Sequence, residues 1–266
     1  MKNIQSTTLF GSVLALLILL GGGYYLYSAI SPTSTLIEID NQEEVSETVD
    51  NTGDYTIERV PIEEIPTVTI PTPSLDSPIV FYNDFPPEAE ELIIKNIETL
   101  RSELKENHDL FSSWLSLGIL WKQVGDYDRA REVWEYTSAI RPSNNISFLN
   151  LGDLYHFYLK DFSKSEESFR TAIANDPTYI QSYAMLHELY RYSYRQNTTL
   201  AVDILNDALI QSPNNVNIFS TFALYYQEKG DVANTRKYLV LARDAAESDG
   251  DPARADLFQR DIDVLK

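Results

Sequence analysis

The side chains that could carry catalysis or bind a metal are few in this chain and lie far apart. The sequence has three histidines, His108, His156 and His187, and no cysteine. Glu188 follows His187, but no second histidine stands four residues after the first, as a zinc-protease helix requires. The adjacent glycines Gly21–Gly23 lie inside an uncharged apolar run, so they do not form the glycine-rich loop that binds phosphate. The sequence therefore predicts no enzyme activity, cofactor or metal site.

A pattern of large apolar and small residues instead recurs four times between residues 111 and 249. Apolar residues stand where two helices would meet, small residues where their backbones would approach closely, and three units close with a proline. The pattern consists of Trp114, Leu117, Gly118, Trp121, Gly125, Asp126, Ala130, Trp134, Ile140 and Pro142; Phe148, Leu151, Gly152, Tyr155, Phe162, Ser165, Phe169, Ala172 and Pro177; Tyr183, Leu186, Tyr190, Ala201, Leu205, Ala208 and Pro213; and Phe219, Phe222, Ala223, Tyr226, Gly230, Asp231, Leu239 and Ala242.

These units resemble the tetratricopeptide repeat (TPR). The resemblance implies an all-α fold, a right-handed α-solenoid of about four helix pairs, at residues 111–144, 145–179, 180–215 and 216–249. The second unit carries one extra residue in the turn at 159–161 and the third carries two at 194–199. His187 stands where the family usually has a small residue, and Thr235 replaces the usual alanine in the fourth unit.

The ends of such an array need covering, because each helix pair is stable only when it packs on its neighbours. Pro86-Pro87 followed by acidic residues is typical of a helix start, so residues 86–110 are predicted to contain an N-terminal capping helix. Residues 250–266 are predicted to form a C-terminal cap. Its covering side chains are expected to be Leu257, Phe258, Ile262 and Leu265.

Residues 9–30 contain no charge and follow a short tail, residues 1–8. As a helix they would be about 33 Å long, enough to cross a hydrocarbon core of roughly 30 Å. Tyr24, Tyr25 and Tyr27 favour an uncleaved transmembrane anchor over a cleaved secretory signal, the alternative. Lys2 precedes the run and Arg59 is the first base after it, so the N-terminus is expected in the cytoplasm and the repeats outside.

Residues 31–85 are rich in acidic residues and proline, and Arg59 is their one base. Like charges and fixed proline φ angles oppose collapse, so this segment is predicted to be a disordered, extended linker. The run at 79–82 either docks on the array or is an irregular linker end. The formal net charge of −19 argues against binding nucleic acid or an anionic membrane surface, although it also serves solubility.

The resemblance further implies a concave groove lined by the first helix of each repeat. A protein or peptide partner with apolar anchors and a basic residue is expected there, which makes the chain a membrane-tethered scaffold or adaptor. The alternatives are an empty groove and a self-associating structural envelope protein. The predicted groove residues are Leu115, Ile119, Lys122, Leu149, Asp153, His156, Phe157, Ala184, Glu188, Arg191, Tyr192, Ser220, Leu224 and Gln227.

Overall fold

The computed structural model describes residues 48–49, 55–56, 70–196 and 198–265. The chain divides into two units, Met1–Thr69 and Ile70–Lys266. In the first unit, β1 (Thr48–Val49) pairs antiparallel with β2 (Tyr55–Thr56). The sequence analysis assigned no secondary structure to this part of the linker. β-Branched and aromatic residues favour extended strands, which accounts for the pairing.

The predicted tail and membrane span, residues 1–30, lie outside the described residues. Within the part of the chain that the structure describes, no helix combines the length and apolar character that crossing a membrane requires. The anchor therefore stays a prediction.

In the second unit the helices begin at residue 87. Helices that pack extensively against each other are neighbours in the chain. The helices are α1 (Pro87–Glu106), α2 (Phe111–Val124), α3 (Tyr127–Ile140), α4 (Asn145–Leu154), α5 (Phe162–Asn175), α6 (Ile180–Tyr192), α7 (Leu200–Gln211), α8 (Val216–Glu228), α9 (Val232–Ser248) and α10 (Pro252–Val264). The first helices of the four pairs are α2, α4, α6 and α8, each followed by its partner, and α1 and α10 flank the array.

The turns inside pairs one and four follow from two adjacent residues. Gly125 and Gly230 adopt left-handed φ angles of 87° and 72°, which end the first helix without a Cβ penalty. The aspartate that follows each glycine, Asp126 or Asp231, accepts a hydrogen bond from a backbone N–H of the next helix. The Gly-Asp dipeptide therefore folds the chain back on itself.

The extra residue of the second unit is absorbed by a π-helical turn, Tyr155–Leu159, at the end of α4. A π turn widens the helix by one residue and rotates the side chains that follow it. Lys160 then takes the left-handed position held by glycine elsewhere, with φ 58°, and the Asp161 side chain caps α5. The insertion predicted from sequence in the turn at 159–161 therefore lies a few residues earlier, where the helix widens.

The interior of the array pairs small residues with large ones. Trp114, Trp121 and Trp134 are all fully buried. A Cβ on Gly118 would lie 2.7 Å from Cε2 of Trp134, and one on Gly152 would lie 2.9 Å from Cγ of Phe169. Only glycine therefore lets the two helices of pairs one and two approach around these rings.

Residues 70–85, which the sequence analysis assigned to the linker, pack against α1 and α2. Leu75 is buried, and Ile79 and Phe81 contact the same apolar cluster as Trp121. The backbone N–H of Tyr82 donates to the carbonyl of Val124 at 2.8 Å. Of the two alternatives for residues 79–82, the structure therefore has the docked one.

The last helix, α10, packs on α9 through part of its predicted face. Ile262 is buried, and Phe258 and Leu265 pack partly buried against the fourth pair. Leu257, however, is half exposed, because the inward face of α10 runs through Ala255, Phe258 and Ile262, and Leu257 lies to one side of it. The expectation that Leu257 helps to cover the array is therefore wrong.

Candidate functional site

The predicted groove residues lie on α2, on α4 with its π turn, on α6 and on α8, and we call this surface the first-helix face. Side chains of α2 contact those of α4, and side chains of α6 contact those of α8, so the two first helices lie side by side in each of these cases. Leu115, Ile119, Ala184, Ser220 and Leu224 are partly buried along it, and Gln227 is exposed. Leu149 and His156 are buried, so neither side chain offers the accessible surface that the sequence analysis expected.

The first two helix pairs are joined across this face by a salt bridge. Lys122 Nζ lies 2.6 Å from Asp153 Oδ2, and about a quarter of each side chain is exposed. The same ammonium group lies 5.5 Å from the ring centroid of Tyr158. Asp153, which was expected to attract a basic residue of a partner, therefore already has a cation within the chain.

The third and fourth pairs are joined by Arg191. Its guanidinium group donates to Glu228 Oε2 at 3.0 Å and to the carbonyl of Leu224 at 3.1 Å. It also lies 4.8 Å from the ring centroid of Tyr192 and 5.7 Å from that of Tyr225. Only 8% of the Arg191 side chain is exposed, so this arginine is part of the structure rather than a free contact.

Two aromatic side chains of the predicted set remain accessible. Phe157 is 37% exposed, and its ring lies 4.0 Å from the ring of the buried His156. Tyr192 is 49% exposed, and its hydroxyl donates to Glu228 Oε1 at 3.1 Å. Burial of part of the ring raises the pKa of Tyr192 to about 12, so the hydroxyl stays a donor at physiological pH. Within the predicted set, these two rings are the exposed apolar groups.

Glu188 lies one helical turn before Tyr192 on α6 and is partly buried. Burial raises the pKa of its carboxyl, the negative charge of Asp153 raises it further, and Arg191 acts in the opposite direction. The side chain makes no hydrogen bond or ion pair with any residue that the structure describes. No group of acidic or histidine side chains within the same part of the chain is arranged to hold a metal ion.

Four residues of this face lie outside the predicted set: Tyr158, Ser193, Tyr225 and Glu228. Glu228 holds in the fourth unit the position that Phe157 and Tyr192 hold in the second and third, and the predicted set ends one residue earlier, at Gln227. A usable signal existed, because Lys122 and Asp153 are 31 residues apart and Arg191 and Glu228 are 37 apart. Each repeat packs on its neighbours, so opposite charges spaced by about one repeat on first helices predict bridges between neighbouring pairs.

No protein-family model matches the sequence, and no curated protein matches it either. Solved structures do match. A crystal structure of MamA is 18% identical, covering 61% of this chain and 94% of that one with a TM-score of 0.49. A thermophilic TPR protein of Thermus thermophilus is 21% identical over 57% of this chain and 89% of its own, with a TM-score of 0.41.

A third solved structure is described as YrrB, a TPR protein with an unusual peptide-binding site. It is 12% identical and covers 64% of this chain and 86% of its own length, with a TM-score of 0.44.

Proposed function

We propose that this chain is a TPR scaffold or adaptor that binds a segment of a partner protein, a peptide or a helix, on its first-helix face. The observation that carries the proposal is the exposure of two predicted groove aromatics, Phe157 and Tyr192, on this face. Aromatic side chains in the centre of an interface commonly contribute about 2 kcal/mol or more to binding. The absence of a catalytic constellation from the sequence agrees with a binding role.

The test is capture of the partner by crosslinking in the native cells, followed by mass spectrometry of what copurifies with the full-length chain. Phe157→Ala or Tyr192→Ala is expected to weaken the captured complex about tenfold or more while helicity is unchanged. Tyr82→Ala is the matched control, because Tyr82 is also an exposed aromatic residue but lies outside the first-helix face. Equal binding by both groove variants and the parent would sink the proposal.

We also propose that residues 9–30 anchor the chain in a membrane, with the N-terminus in the cytoplasm and the helix array outside it. The uncharged run and Lys2 before it support this orientation. Protease added to intact cells or spheroplasts is expected to cut residues 31–69 and release the array. Full protection of the array would reverse the orientation. A mature chain starting near Ser31 would identify a cleaved signal instead.

The second candidate function is a self-associating structural protein. It is favoured by apolar side chains exposed on the two flanking helices, Leu92 and Ile94 on α1 and Leu257 and Val264 on α10. Light scattering on the full-length chain separates the two functions. A monomer supports the adaptor, and an assembly that Leu257→Ser and Val264→Ser together dissociate supports self-association.

A further inference from the structure

The acidic groups of the first-helix face differ in whether the chain itself supplies a cation. Asp153 is bound by Lys122. Glu228 is bound by Arg191 and by the hydroxyl of Tyr192. Glu188 has neither a hydrogen bond nor an ion pair among the described residues, although it is more enclosed than Glu228. Glu188 is therefore the uncompensated carboxylate of this face.

The repeat register explains why Glu188 lacks a cation. Lys122 at the end of α2 contacts Asp153 on α4, and Arg191 at the end of α6 contacts the carbonyl of Leu224 on α8. In the same register His156 is the residue of pair two equivalent to Lys122 and Arg191, and Glu188 is the residue of pair three equivalent to Asp153 and Leu224. The contacts between pairs one and two and between pairs three and four are therefore made, whereas the equivalent contact between pairs two and three is not.

His156 cannot make that middle contact, because it lies in the π turn. Its ring is buried, and its Nε2 is hydrogen-bonded to the Ser193 hydroxyl at 2.7 Å. Burial, reinforced by the charge of Lys160, lowers the pKa of His156 below that of a free histidine, so the ring stays neutral at physiological pH. Pair two therefore supplies no cation at the position that Lys122 and Arg191 occupy in pairs one and three.

We infer that Glu188 binds a cationic side chain, lysine or arginine, of the partner segment, which completes the open contact between pairs two and three. The inference rests on the proposed binding of a protein segment to this face. Tyr192, one turn further along α6, offers an exposed ring against which an ammonium or guanidinium group can pack. The face already shows this pairing, since Arg191 and Lys229 both lie over the ring of Tyr225.

Charge and burial both favour this occupant. A partly buried carboxylate with no partner is stabilised more by a cation than an exposed one is, because less water screens the pair. Arg191 lies three residues along the same helix, but its guanidinium group is already bound to Glu228 and Leu224. The net charge of −19 attracts basic segments over a longer range. Asp153 takes a smaller part than expected from the sequence, since Lys122 already neutralises it.

The experiment selects peptides from a displayed library of random 12-residue sequences on the full-length chain. Peptides that lose affinity for Phe157→Ala or Tyr192→Ala are the groove peptides, and they are synthesised and titrated by fluorescence anisotropy. Each is also made with its arginine replaced by citrulline or its lysine by acetyl-lysine, which removes the charge. The protein variant is Glu188→Gln, and Glu167→Gln, an exposed residue of α5, is the matched control.

We expect groove peptides to contain a basic residue and to bind Glu188→Gln at least tenfold more weakly than the parent or Glu167→Gln. The uncharged peptides should bind the parent and Glu188→Gln equally. That result would show that the peptide cation gains its affinity from Glu188. Groove peptides without a basic residue, or an unchanged affinity for Glu188→Gln, would overturn this inference and leave the proposed function standing. A selection that yields no peptide sensitive to Phe157 or Tyr192 contradicts both.

Discussion

Nε2 of His156 lies 2.7 Å from the hydroxyl of Ser193, and this hydrogen bond joins the two irregular segments of the array. His156 belongs to the π turn of the second pair, and Ser193 begins the lengthened turn of the third. Arg195, with φ 55°, adds a salt bridge from the same turn to the buried Glu166 at 3.2 Å. The π turn of the second pair and the lengthened turn of the third therefore pack against each other, next to the exposed Phe157.

The first prediction concerns Arg191, which joins the third and fourth pairs. Arg191→Met is expected to lower the free energy of unfolding by about 1–3 kcal/mol, because it removes the guanidinium group that donates to both the Leu224 carbonyl and Glu228. Glu228→Gln should cost less than about 1 kcal/mol, since that side chain is largely exposed. Urea unfolding followed by circular dichroism measures both changes.

The double variant of Arg191 and Glu228 tests whether the two residues act together. Its cost should be smaller than the sum of the single costs, because the bond between them is removed only once. Arg260→Met on the exposed side of α10 is the control for loss of an arginine. Strict additivity of the two single changes would contradict the pairing.

The second prediction concerns the close approach of Gly152 to Phe169. Gly152→Ala is expected to destabilise the protein by about 1–3 kcal/mol, although alanine favours helices over glycine, because the added Cβ would overlap the ring. Phe169→Leu in the same chain should restore part of the loss by making room. If Gly152→Ala raises the midpoint of unfolding, the packing of the second pair is wrong.

The third prediction compares two leucines near the start of the array. Leu75 is buried within the segment 70–85, whereas Leu92 on α1 is 58% exposed. Leu75→Ala is expected to cost about 2–3 kcal/mol and Leu92→Ala less than about 0.5 kcal/mol, by the same unfolding measurement. Equal costs would show that residues 70–85 do not pack on the array.

The helix pairs could be predicted from sequence because their determinants are local. Gly125-Asp126 and Gly230-Asp231 each provide a helix end and a helix start in adjacent residues, and the turns follow. The burial of Trp114 and Trp121 follows as well, since the two residues stand at helical spacing on one face of α2.

The candidate site was predicted less well, because it depends on pairing between repeats. Whether Asp153 is free or bound depends on Lys122, which lies 31 residues earlier in the neighbouring repeat, so only a comparison of charges between repeats could have revealed the pair. The burial of His156 depends on how the helix absorbs one extra residue. An extra residue can either lengthen the turn or widen the helix, and the sequence does not distinguish the two. The structure has the widened helix.

The fourth prediction concerns the C-terminal cap. Deleting residues 251–266 removes the helix that covers Ala246 and Leu239 and also the carbonyls of Ile262 and Leu265 that Arg236 binds. The fourth pair would then expose an apolar face, so the truncated chain is expected to aggregate. Light scattering checks this against the full-length chain. A truncated chain with unchanged mass and stability would contradict the capping role of α10.

The fifth prediction is a loss of stability in acid caused by His187. This histidine is buried in α6, its Nδ1 donates to the carbonyl of Ala201 at 2.7 Å, and its Nε2 has no partner among the described residues. The pKa of His187 is lowered to about 4, mainly by burial and in part by the charge of Arg191, while the hydrogen bond to Ala201 and the charge of Glu228 act in the opposite direction. Protonation therefore favours the unfolded chain, in which histidine has a pKa of about 6.5.

The resulting pH window follows from these two pKa values. The contribution of neutral His187 is complete above about pH 6.5 and is lost as the pH falls, by about 3 kcal/mol at about pH 4. His187→Asn keeps a donor for the Ala201 carbonyl but does not titrate. Taking the difference in unfolding free energy between parent and variant cancels the titration of carboxylates that both share. This difference should change in the variant's favour as the pH falls from about 6.5 to about 4. A difference that stays constant over this range would show that His187 is not held neutral by burial.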